Sequence, residues 1–99
     1  MTAAHRGQDD ERLYHILKAL GNPVRLQIVR FVQQHPWCIA NQILLQLPDD
    51  VARAQSTLSQ HLKILRAAGL IKAKCDGAAM SYVIDEESLD WLRTQLANM

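Results

Sequence analysis

Five hydrogen-bonding side chains, Ser56, Thr57, Ser59, Gln60 and His61, crowd into residues 56–61. Serine, threonine and histidine are mediocre helix formers, so a helix built on them serves something other than its own stability. Hydroxyls, an amide and an imidazole at this spacing suit hydrogen bonds to base edges and phosphates. The surrounding residues 51–75 hold Arg53, Lys63, Arg66, Lys72 and Lys74 and no acid; the segment carries +5 in a chain of net charge +1, leaving −4 for the remainder. A basic stretch against an acidic background is the electrostatic footprint of a surface that meets phosphates.

Other reactive groups are sparse. Cys38 and Cys75 are expected as free thiols, as in a reducing compartment. His35 and Cys38 are candidate metal ligands, two where a stable zinc site takes about four. Cys75 shares a strand face with Ile71 and Ala73 and is expected as a half-buried structural thiol; with Lys74 beside it, it is also the candidate for a redox switch. Trp37, Trp91 and Tyr82 are expected in the core or at an interface between subunits. There is no glycine-rich phosphate loop, nucleophile with a nearby base or paired-carboxylate site, and Asp9-Asp10 and Asp49-Asp50 read as cap and loop residues, so an enzyme is not expected.

The elements that must position the polar cluster follow from periodicity. Leu13, Ile16, Leu17 and Leu20 recur at helical spacing after an N-cap at Asp9 or Asp10, and Gly21 stops that helix. Asn22-Pro23 starts a second helix with Val24, Ile28, Val29 and Val32 inside, ended by His35-Pro36. A short third helix in IANQILLQL turns Ile39, Ile43, Leu44 and Leu47 inward, and residues 49–55 form a loop.

The fourth helix, about 56–68, starts with Ser56 as N-cap and ends at a C′ glycine, Gly69. Its Leu58, Leu62 and Leu65 fall on one side, opposite Ser56, Gln60 and Lys63, with Thr57 flanking. Period 2 over about 71–84, with a turn at Asp76-Gly77, predicts a β-hairpin with a lysine-bearing face, Lys72 and Lys74. Asp85 caps a last helix whose Leu89, Leu92 and Leu96 form a narrow stripe suited to a partner helix.

A mainly α fold in the order α-α-α-α-β-β-α, with a small hairpin as the wing, is a winged helix-turn-helix; the polar-faced helix would enter the major groove and the wing would lie on the backbone. The 99 residues, 48% of them hydrophobic, make one domain over 9–99 behind a flexible segment 1–8, and a chain this short gains buried surface by dimerising. No apolar run spans a membrane and MTAAHRGQDD lacks the apolar centre of a secretory signal, so a cytoplasmic protein is expected.

LKALGNPVRLQIV and QSTLSQHLKILRAAGLI, followed by a wing containing DG, closely resemble the ArsR/SmtB family of small bacterial winged-helix repressors, over about residue 12 to the end. The resemblance implies a homodimer joined through the first and last helices (Leu13, Leu17, Leu89, Leu92, Leu96), an inverted-repeat operator in double-stranded DNA, and release of DNA when an inducer binds. It adds Gln55 to the DNA-contacting set of Ser56, Thr57, Ser59, Gln60 and His61, and puts Lys72, Lys74 and Gly77 in or near the wing. Metal-sensing members carry Cys-x-Cys where this chain has Cys38, Ile39 and Ala40, there is no His after His61, and PDDVARA is a few residues longer than usual. The typical ligand sets are thus incomplete, and a metal or metalloid inducer, a thiol oxidant or no inducer at all stay open. The rival reading is a winged-helix protein-interaction module without specific DNA binding.

Overall fold

Two helices, α1 (Ala3–Leu20) and α2 (Pro23–Gln34), meet at a corner made by Asn22. Its backbone is extended, and its Oδ1 accepts hydrogen bonds from the N–H groups of Val24 (2.9 Å) and Arg25 (3.1 Å), with Pro23 in the first helical position. This satisfies the orphan donors at the start of α2. The computed structural model describes residues 3–48 and 55–99. α1 does not wait for a cap at Asp9 or Asp10: it is helical from Ala3, so residues 3–8, expected to be a flexible segment, belong to the helix. Their content of alanine, arginine and glutamine favours continuing it.

After α2 the chain turns at Trp37, whose φ of 63° is the left-handed conformation, and enters a short strand β1 (Cys38–Ile39) before α3 (Ala40–Leu45). β1 is absent from the periodicity reading. It shortens the expected third helix and reverses Ile39, which is exposed and not inward-facing. β2 (Ile71–Asp76) and β3 (Ala79–Ile84) form the expected hairpin, but with Gly77-Ala78 as its two-residue tip, because Asp76 still pairs with Ala79. Gly77 has a φ of +67° and Ala78 does not share the positive sign, the pattern of a II′ turn.

The sheet order is β1-β3-β2, all antiparallel. Register puts Cys38, Tyr82 and Ala73 in one row facing the helices, and Ile39, Ser81 and Lys74 in the adjacent row facing outward.

α4 (Gln55–Ala67) starts one residue before the expected cap, so Ser56 lies inside the first turn; of the expected loop, residues 49–54 are outside the described residues. Leu58, Leu62 and Leu65 are buried against Ile16 of α1, Ile28 and Val32 of α2 and Ile43 of α3. α4 ends in a Schellman motif: the Leu70 N–H donates to Leu65 O (3.0 Å) and the Gly69 N–H to Arg66 O (2.9 Å), with Gly69 at φ +79°. The two leucines that the motif brings together, Leu65 and Leu70, are both in the core. α5 (Glu86–Ala97) is capped as expected by Asp85, whose Oδ1 accepts from the Ser88 N–H at 3.1 Å, with Glu86 and Glu87 in the first turn. It returns across α1, where the Arg12 guanidinium lies 4.1 Å from the centre of the half-buried Trp91 ring.

Candidate nucleic-acid interface

Burying Leu58, Leu62 and Leu65 leaves α4 one way to face. Ser56, Ser59, Gln60 and Lys63 are exposed on the opposite side, and Thr57 and His61 are half-buried at its edges. Gln55 is the first residue of the helix. The side chains of Ser56, Ser59 and Gln60 present their donors and acceptors to solvent, with Thr57 half-buried beside them.

His61 is the exception. Its Nδ1 lies 3.3 Å from Arg25 Nη1, and Arg25 Nε donates to Ala19 O at 2.7 Å. A guanidinium only donates, so Nδ1 is the acceptor and the ring proton sits on Nε2. Burial and, after it, the Arg25 charge hold the His61 pKa below its ordinary value. The imidazole is thus a neutral side chain that ties α4 to the α1–α2 corner.

Beyond Lys63 the basic surface continues. Lys63, Arg66 and Lys72 line one groove between α4 and β2, floored by Ala67, Ile71 and Ala73. None of the three forms an ion pair among the described residues. Lys74 stands apart on the outer face of the sheet, its Nζ 5.9 Å from the centre of the Trp37 ring. Trp37 is 52% exposed, so it is not a core residue of the protomer. The left-handed corner that carries the chain from α2 into β1 leaves its ring outside, and Tyr82 takes the core place below it.

The thiols part company. Cys38 is buried with its Sγ 4.0 Å from Tyr82 O, and burial pushes its pKa up, more strongly than its own backbone contact lowers it. His35 is exposed, its ring stacked on Phe31 at 4.2 Å and its Nδ1 3.1 Å from Phe31 O. The two candidate ligands therefore face different surroundings, and no group of three metal-binding side chains exists among the described residues. Cys75 is exposed, not half-buried: it pairs with Met80 near the tip of the hairpin, past the edge of the core, with its Sγ 3.5 Å from Gly77 O. Strand alternation also sends Cys75 and Lys74 to opposite faces, so the expected cationic flank is not beside the thiol.

Of the leucines expected between subunits, Leu13, Leu89 and Leu92 are buried in the core of the protomer itself, while Leu17 (41%) and Leu96 (47%) remain exposed. With Tyr14 and Met99 they form the apolar surface that α1 and α5 leave uncovered. Arg25 and Trp37 escaped the sequence reading altogether as functional neighbours. Their partners His61 and Lys74 lie far along the chain, and no local pattern links them.

A helix with a buried leucine stripe and a polar outer face, preceded by the short α3 and followed by a basic hairpin, makes this a winged helix-turn-helix DNA-binding protein. Residues 22–73 match the pattern of the bacterial regulatory protein, arsR family, and the chain belongs to that family: it is a regulator of transcription and not an enzyme. It is 37% identical over 95 residues to the uncharacterized HTH-type transcriptional regulator YbzH of Bacillus subtilis, covering 82% of this chain and 95% of that one. It is 34% identical over 74 residues to the HTH-type transcriptional repressor SmtB of Mycobacterium tuberculosis, covering 75% of this chain and 51% of that one. Its fold is similar to the homodimeric winged helix-turn-helix DNA-binding domain of a possible ArsR-family transcriptional regulator from Mycobacterium bovis, with a TM-score of 0.72 and 20% identity over 99% of this chain and 87% of that one. Among the described residues no helix is long and apolar enough to cross a membrane.

Proposed function

We propose that the protein is a cytoplasmic homodimeric repressor that binds an inverted-repeat operator in double-stranded DNA. α4 enters the major groove, where Gln55, Ser56, Thr57, Ser59 and Gln60 contact bases and the adjoining backbone. His61 supports the helix from behind. Lys63, Lys72 and Lys74, joined by Arg66, take phosphates, and the hairpin tip lies along the backbone. The observation that carries this reading is the uninterrupted run from the exposed polar face of α4 into the Lys63, Arg66 and Lys72 groove. Dimerisation through α1 and α5 is supported by the uncovered Tyr14, Leu17, Leu96 and Met99 and by the homodimeric relative of the same fold. It would set two reading helices about one helical turn of DNA apart.

Fluorescence anisotropy with a duplex from immediately upstream of the protein's own gene, against a random duplex, at several salt concentrations, tests this. Tighter binding upstream with a steep salt dependence is expected, whereas a folded protein with no duplex affinity would fit the interaction module instead. Each phosphate contact adds about 0.9 to the slope of log affinity against log salt, and a homodimer carries every substitution twice. Lys72→Ala should therefore lower that slope by about 1.8; an unchanged slope removes Lys72 from the phosphate set.

A further inference from the structure

The C-terminal half of α4 shares a cleft of about 480 Å³ with the end of α1 and the start of α2, beside the exposed polar row: its Ile64 and Ala67 follow Gln60 at helical spacing. Ala19, Ile64 and Ala67 give it an apolar wall, and His15, Lys18 and Arg25 stand around it. The small alanines create the space. Ile64 is 40% exposed there, in a helix whose leucines are buried.

Arg25 uses one N–H on Ala19 O and one on His61, which leaves three of its five for another acceptor. Lys18 is exposed and has no carboxylate partner among the described residues; His15 has Glu11 at 3.9 Å, at the outer end of the cleft. An apolar wall with a few convergent polar groups, in this range of volume, is the architecture of a small-molecule site. Its charge selects the ligand: an anionic head for Arg25 and Lys18, and an apolar body for Ile64 and the alanines.

We infer that this cleft is an effector site for a small amphipathic organic anion, a carboxylate or sulfonate carrying an alkyl chain or fused rings. Its occupant acts on α4 through Arg25, whose guanidinium it would share with His61, the side chain that ties α4 to the α1–α2 corner. This second half rests on the DNA-binding reading; the binding of the anion does not.

The test has two arms, both on the full chain. The first titrates 1-anilinonaphthalene-8-sulfonate by fluorescence and displaces it with octanoate, in the wild type and in Lys18→Glu and Ala67→Phe. Both positions are exposed, so the variants should fold, with circular dichroism as the check. The expected result is saturable binding of one probe per protomer, displaced by octanoate, and weakened about tenfold or more in both variants. Equal affinity in all three proteins, or no saturable binding, overturns the site. The second arm repeats the anisotropy titration on the upstream duplex with and without octanoate. A change of about fivefold or more in DNA affinity is expected in the wild type and not in Lys18→Glu. Octanoate binding with unchanged DNA affinity overturns the effector role. A protein that binds neither duplex defeats the DNA reading instead, while the fluorescence arm still decides the site.

Discussion

Gln60 is exposed at the middle of the outward row of α4, and its amide is the group there best able to make paired hydrogen bonds to an adenine edge. Gln60→Ala should weaken binding to the upstream duplex by about 1–3 kcal/mol while leaving random-duplex binding nearly unchanged. Equal losses on both would assign Gln60 to the backbone. His61 gives a different signature. Burial first, and then Arg25, lower its pKa from 6.5, so between 6.5 and the folded value the unfolded chain binds the proton and the folded chain does not. Stability contributed by the neutral ring is complete above about pH 6.5 and is lost as pH falls through that window. Urea unfolding at about pH 7.5 and pH 5 should therefore show a smaller loss for His61→Gln than for the wild type. Parallel losses would mean that the acid sensitivity lies in other groups. The polar types of residues 56–61 were legible because surface chemistry is written in residue type; the role of Arg25 was not, because its contact crosses 36 positions of sequence.

Local signals were legible at the scale of elements wherever one side chain meets backbone a few residues away. Asn22 and Asp85 cap the helices they were expected to cap, and Gly69 ends α4 in the left-handed conformation. A β-carbon at Gly69 would lie 3.6 Å from Ser88 Oγ, an ordinary contact, so the cost of Gly69→Ala is conformational. A loss of about 1 kcal/mol in chemical unfolding is expected. An unchanged midpoint would show that the Schellman turn does not depend on glycine. β1 was illegible because two residues carry no alternation; they become a strand only by pairing with Tyr82 and Ser81 of β3. The start of α1 was misplaced for the opposite reason, since the caps that looked available at Asp9 and Asp10 fall inside a longer helix.

The surfaces of the whole molecule are sorted by what its own core has already taken. Leu13, Leu89 and Leu92 are spent inside the protomer, and a second copy would meet the exposed Leu17 and Leu96 beside Tyr14 and Met99. Leu96→Glu changes a surface position, so the protomer should fold while self-association fails. Sedimentation equilibrium should then report a monomer, and affinity for the two-half-site duplex should fall with it. A variant that remains dimeric would move the interface off the end of α5. The leucine stripe of α5 was read correctly as apolar, but periodicity alone cannot divide one stripe between the core and a partner.

Sequence alone determined the helical order, the hairpin, the apolar face of α4 and the polar and basic character of residues 51–75. Each of these is set by residue type and by spacing within a few positions, where the backbone geometry is known in advance. Tertiary structure alone decided that Trp37 and Cys75 lie outside, that β1 closes the sheet, that Arg25 reaches His61, and that a cationic cleft opens beside the reading helix. Those features depend on which distant residues arrive side by side once the shared core of Ile16, Ile28, Ile43 and Leu65 has closed.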